Sequence, residues 1–114
     1  MPLKFPVVSA PPEWTADLVP VVEAKFRGAL GSSGNRLVVD LSGTTFIASA
    51  GLTSLIHAGK RLAEAGGALA LASPTPPIVK LLRVVGLTRV LPAFDAVAEA
   101  TSFVAAVRPP RDAR

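Results

Sequence analysis

The side chains that could do chemistry are few, and their types exclude most reaction classes. The chain holds one histidine, His57, and no cysteine, so thiolate nucleophiles, disulfides and cysteine zinc sites are excluded. Stepping about 100° per residue along the helix expected there puts His57 about 140° from Leu52, on the solvent side. A lone imidazole on such a face reads as a surface residue. The acids Glu13, Asp17, Glu23, Asp40, Glu64, Asp95, Glu99 and Asp112 are widely spaced. None pairs with the histidine at i,i+3 or i,i+4, and a paired-carboxylate mechanism would need the fold to unite two of them. No GxxxxGK[ST] phosphate loop is present, and the glycines of residues 28–34 follow a helix instead of a strand, which removes the dinucleotide fingerprint. A non-catalytic protein with neither metal nor cofactor is expected.

Residues 40–55, DLSGTTFIASAGLTSL, carry a more specific arrangement. A strand ends, a short extended stretch runs through Phe46 and Ile47, and a helix opens directly after Ala48 and Ser49. The first amides of a helix lack intrahelical acceptors, and Ser49 is placed to satisfy one as the N-cap. The same position leaves its hydroxyl exposed. A phosphate ester there would add roughly 1.5 to 2 negative charges at neutral pH. The helix dipole and free amides tolerate that charge, whereas a docked partner would have to desolvate it. Such a serine can switch binding without unfolding the domain. Asp40, at the strand end, reads as an acceptor for loop backbone at least as readily as a partner contact.

The elements that must hold this segment are legible in pattern. Residues 3–9 are expected to form a short strand that Pro6 restricts to an edge or a bulge. Leu18, Val22, Phe26 and Ala29 recur at helical spacing, giving a helix over 19–30 with Pro20 tolerated in its first turn and Glu23 and Arg27 paired on another side. Residues 36–41 form a strand whose unbroken Leu37, Val38 and Val39 suit burial on both faces. The second helix is expected over 50–65, with Leu52, Leu55, Ile56, Gly59, Leu62 and Ala63 inward and Ser54, His57, Arg61 and Glu64 outward. A strand over 68–72, a short helix over 78–85 and a last helix over 95–107, capped by Asp95, complete the order. Residues 87–91 are too short a stretch to assign, and Trp14 is expected to anchor the core. Strands separated by helical crossovers argue for an α/β sandwich with a partly parallel sheet.

Composition agrees with this organisation. The 114 residues suit one domain over 1–107 and a flexible tail over 108–114. A hydrophobic share of 50% against 18% charged excludes a wholly disordered chain. No apolar run approaches the roughly 18 to 20 residues of a membrane span, and the opening residues make a poor signal peptide, so a cytoplasmic location is expected. The net charge is +4, but Arg108, Arg111 and Arg114 against Asp112 supply half of it. The scattered bases that remain do not make a nucleic-acid surface.

Residues 38–52, VVDLSGTTFIASAGL, resemble the signature of the STAS domains, and among them of the anti-sigma-factor antagonists, the bacterial anti-anti-sigma proteins. That pattern is a strand ending in DLSGV, then TFIDSSGL at the head of the second helix. KRLAEAGG at 60–67 is similar to the family's helix end, and residues 68–77 to its next strand and proline-rich turn. Residues 81–94 fit LLxxxGLxxVxPxF, and residues 95–100 resemble the DSxEEA opening of the last helix. The resemblance spans residues 13–107.

The resemblance implies a STAS-like α/β fold, a small mixed sheet with helices packed against it, whose 47–50 turn lies exposed beside the helix at Ile78. It implies a regulator that binds a cognate anti-sigma factor with a kinase-like ATPase fold and lets go once phosphorylated on serine. A serine phosphatase would reverse the switch, and weak self-association stays open. Matched residue by residue, the phosphorylated serine is Ser49. The partner-binding stretch is Asp40, Ser42, Gly43, Thr44, Ala48, Ser49, Ala50, Gly51, Thr53 and Ser54.

Two departures flank the acceptor: Ala48 stands where the family has Asp, and Ala50 where it has a second serine. The lost acid bears against phosphorylation and leaves surface binding intact. A STAS scaffold or subunit of a transport or signalling complex without phosphorylation therefore stays open beside the partner switch. So does a small-ligand or anion sensor at the helix entrance. The start departs too. Relatives have a two-strand opening before the first helix, so here one strand of that hairpin is expected to be short or absent, leaving a free edge.

Overall fold

The alternation in β5 (Ala68–Ala72), ALALA, sets the layers of the domain. In the computed structural model, which describes residues 5–30, 35–87 and 91–107, Leu69 and Leu71 join one core and Ala68, Ala70 and Ala72 the other. This is the two-residue period of a strand buried on both faces. β3 (Arg36–Asp40) lies parallel to it, with Leu37 opposite Leu69, Val38 opposite Ala70 and Val39 opposite Leu71. β1 (Val7–Ser9) flanks β3 and β6 (Ala93–Phe94) flanks β5, giving the order β1-β3-β5-β6. β2 (Glu13–Trp14) and β4 (Phe46–Ile47) form a separate two-stranded ladder. Each of the described pairings is parallel.

The leucine face carries the larger core. α1 (Val19–Leu30), α2 (Ser49–Glu64) and α3 (Pro76–Val84) bring Val22, Phe26, Leu55, Leu62, Ile78 and Leu82 onto Leu37, Val39, Leu69 and Leu71. The alanine face receives α4 (Val97–Ala106) through Ala100 and Val104. Arg36 fixes the end of that helix. Its Nε donates to the Val104 carbonyl at 2.8 Å and its Nη2 to the Val107 carbonyl at 2.6 Å, groups that a helix C-terminus leaves without intrahelical donors.

α1 and β5 have the bounds expected from pattern, and Trp14 is fully buried. Other expectations are corrected. α3 begins at Pro76 instead of residue 78, because two prolines without amide hydrogens suit the first two helical positions. α4 begins at Val97 with Ala96 at its entrance and no side-chain cap, so Asp95 does not cap it. The opening has two strands, yet they form no hairpin with each other: β1 pairs with β3 and β2 with β4. The tail expected over 108–114 lies outside the described residues.

The phase of α2 is also corrected. Leu55 and Leu62 are buried as expected, but Gly51 and Ser54 join them, Ile56 is half-buried and Ala63 is exposed. The buried stripe is rotated about a quarter turn toward α1 relative to the apolar pattern. Its cause is local. A Cβ on Gly51 would sit 2.8 Å from Ile47 Cγ2 and 3.2 Å from the Trp14 ring, so only a residue without a side chain lets α2 lie this close to Trp14. Ser54 is then carried inward, where its hydroxyl donates to Glu23 Oε2 at 2.9 Å. Among the described residues no helix is long and apolar enough to cross a membrane.

Candidate functional site

The segment after β3 is held by hydrogen bonds from both sides. Asp40 Oδ1 accepts the Ser42 amide at 2.9 Å, an Asx turn that ends the strand. Thr44 is fully buried. Its amide donates to the Leu41 carbonyl at 3.0 Å, and its hydroxyl lies 3.0 Å from the Pro11 carbonyl and 3.3 Å from that of Ala10. The amides of Thr45 and Ala48 donate to the carbonyls of Pro12 and Trp14, each at 2.9 Å. Residues 40–48 are therefore stitched to residues 10–14, and β4 projects Ile47 into the core and leaves Phe46 half exposed.

α2 opens from this rim. Ala48 has the extended backbone of an N-cap (φ −70°, ψ 162°) and no side chain to cap with, so Ser49 is the first helical residue and not the cap expected from sequence. The Ala48 carbonyl accepts the amides of Gly51 and Leu52 at 2.9 and 3.1 Å. Ser49, Ala50 and Thr53 are exposed, as are Ser42 and Gly43 in the preceding loop. Thr44, Gly51 and Ser54 are buried, which corrects their placement in a contact surface. Their roles are to fix the loop, to admit Trp14 and to tie α2 to α1. Asp40 and Ala48 are half-buried, and Asp40 serves the loop backbone.

The entrance of α3 adjoins this rim, as the expected neighbourhood of the 47–50 turn and Ile78 requires. Thr75, at the N-cap of α3, directs its hydroxyl to the Thr44 carbonyl at 2.5 Å. The rim lies at the carboxyl end of a parallel sheet, where α/β folds place their binding surfaces. Sequence reasoning did not single out Phe46 or Thr75. A two-residue strand has no period to read, and a threonine before two prolines signals a helix start without naming its distant acceptor. His57 is exposed on α2, and among the described residues no group of three His, Cys, Asp or Glu could hold a metal ion.

A family model described as Mlab, STAS domain, matches residues 3–92. The chain belongs to the STAS domain family. STAS domains are non-catalytic regulatory or scaffold domains. This STAS domain shares its fold with the solution structure of TM1081, at 23% identity over 88% of this chain and 81% of that one, with a TM-score of 0.77. A crystal structure names that Thermotoga maritima protein a candidate anti-sigma-factor antagonist. An anti-sigma-factor antagonist (STAS) domain protein from Planctomyces limnophilus matches at 27% identity, covering 88% and 90% of the two chains, with a TM-score of 0.75. The murine anion transporter Slc26a9 matches at 18% identity and TM-score 0.70, over 88% of this STAS domain and 17% of the transporter. A search of curated proteins found no significant match.

Proposed function

We propose that this STAS domain is an anti-sigma-factor antagonist that docks its partner on the rim formed by Ser42, Gly43, Phe46, Ser49, Ala50 and Thr53. The observation that carries the proposal is the exposed Ser49 at the first position of α2, on a backbone immobilised by the Thr44 and Thr75 hydrogen bonds. A rigid rim costs little ordering entropy on association, and the half-exposed Phe46 ring supplies apolar area beside the serine. The likeness to the Planctomyces limnophilus STAS domain protein supports the same reading. The partner is an anti-sigma factor with a kinase-like ATPase fold. Phosphorylation of Ser49 would place a dianion where that partner must desolvate the rim, and a serine phosphatase would restore binding.

The test is incubation with a kinase-like anti-sigma factor from the same organism and ATP, mapping of phosphate by mass spectrometry, and titration of both forms against that factor. Phosphate on Ser49 with weakened binding is the expected result. A phosphorylated form that binds as tightly as the unmodified one would end the switch.

A second reading is a scaffold subunit of a transport complex without phosphorylation. It is favoured by the match to part of an anion transporter and by Ala48 in place of the family's acid. Co-purification with transporter subunits and with no kinase-like protein would select it.

A further inference from the structure

We infer that the groove between α1 and α2 binds a small amphipathic carboxylate, at a site separate from the α2 entrance. The groove is a small cleft of about 110 Å³ that opens to solvent, so a ligand would be held along one side and only in part. α1 and α2 each lead from the carboxyl end of one parallel strand to the start of the next, so they run in the same direction. Glu23 and Ser54 consequently close one end of the groove, and Arg27 and Arg61 stand toward the other. Between them the wall is apolar: Phe26 and Leu62 are buried, and Leu30 and Ala58 are half-buried.

The charge distribution selects the ligand. Arg27 and Arg61 are exposed, and neither has a hydrogen-bond or ion-pair partner among the described residues, so the Glu23–Arg27 pair expected from the i,i+4 spacing is not formed. The carboxylate of Glu23 accepts the Ser54 hydroxyl and keeps its charge, so an anion would be held at the opposite, cationic end, away from it. Two guanidinium groups beside an apolar wall fit an anion with an apolar body, and a carboxylate matches the planar fork of each guanidinium. A short acyl chain or an aryl ring would lie along Phe26 and Leu62, removing apolar surface from water.

Occupancy has a built-in reporter. Phe26 meets Trp14 edge-on with ring centroids 6.3 Å apart, and Trp14 is the one tryptophan of the chain.

The experiment titrates the folded protein with octanoate and, in parallel, with octanol, following Trp14 emission and heat of binding. Octanoate is expected to saturate, with octanol at least about tenfold weaker. The double change Arg27→Ala and Arg61→Ala should weaken octanoate by about tenfold with an unchanged urea midpoint. Ala58→Phe should fill the groove and abolish binding; if that variant fails to fold, the arginine pair decides. Equal affinity for octanol, indifference to the arginine changes, or no saturation at millimolar octanoate would overturn the inference. So would a dimer in sedimentation that Arg61→Glu dissociates, since the groove would then be an interface between two copies.

Discussion

The hydroxyl of Thr75 donates to the backbone carbonyl of Thr44, 31 positions away in the chain. Thr75 occupies the N-cap of α3, where a threonine ordinarily turns its oxygen to the helix's own first amides. Pro76 and Pro77 have no amide hydrogens to satisfy, and the Thr75 carbonyl accepts those of Ile78 and Val79, each at 2.9 Å. The hydroxyl is thereby free to hold the rim from which α2 begins. Thr75→Val, which keeps the shape and removes the donor, should cost about 0.5 to 1.5 kcal/mol in urea unfolding. It should also speed amide exchange at Thr44 and Thr45. Unchanged exchange would show that the rim is held without α3.

Ser49 and Ala48 should separate capping from binding. Because Ala48 is the cap position and lacks a side-chain acceptor, Ser49→Ala should leave stability within about 0.5 kcal/mol. Ala48→Asp, which places an acceptor on backbone already in the N-cap conformation, should stabilise by about 0.5 to 2 kcal/mol. Thermal or urea melts of the two variants make the comparison, and a larger loss for Ser49→Ala than the gain for Ala48→Asp would reverse the assignment.

The phase of α2 is tested by three neighbours. Leu55 is fully buried, so Leu55→Ala should cost about 2 to 5 kcal/mol. Ile56 is half-buried, and Ile56→Ala should cost less than Leu55→Ala. His57 faces solvent, and His57→Ala should stay within about 0.5 kcal/mol. Equal losses for Ile56→Ala and Leu55→Ala in urea melts would restore the phase expected from the apolar pattern alone.

Gly67 is fixed by backbone. A Cβ there would stand 1.8 Å from the Asn35 carbonyl oxygen, which also accepts the amide of Ala68 at 3.0 Å where β5 begins beside β3. Gly67→Ala should destabilise by about 1 to 3 kcal/mol or more, since a ladder hydrogen bond must move to admit the methyl group. Gly28→Ala meets nothing within 4 Å and should be neutral or stabilising in the same assay.

Partner binding should respond to charge at Ser49. Ser49→Glu is expected to weaken association with a kinase-like anti-sigma factor, and Ser49→Ala to retain it, in titrations on protein shown to be folded. One carboxylate is an incomplete substitute for a phosphate, so the loss should be smaller than that caused by phosphorylation itself. Equal affinity for the two variants would move the docking surface away from the α2 entrance.

The sequence by itself determined the long elements, their order and the α/β class. α1, β3 and β5 are continuous, strongly patterned segments, and Pro74 follows shortly after the end of β5. It also singled out residues 40–55 as the candidate docking stretch, because an exposed serine at a helix entrance has a chemical meaning that needs no partner. Tertiary contact decided the rest. β2, β4 and β6 are two residues long; the extended stretch through Phe46 and Ile47 is legible locally, but its ladder with β2 is not, since each partner lies far away in the chain. The inward face of α2 depends on what lies beneath it: Gly51 yields to Trp14, and Ser54 finds Glu23. A polar residue is buried wherever the fold supplies its hydrogen bond, and periodicity counts apolar side chains without knowing which polar ones will be satisfied.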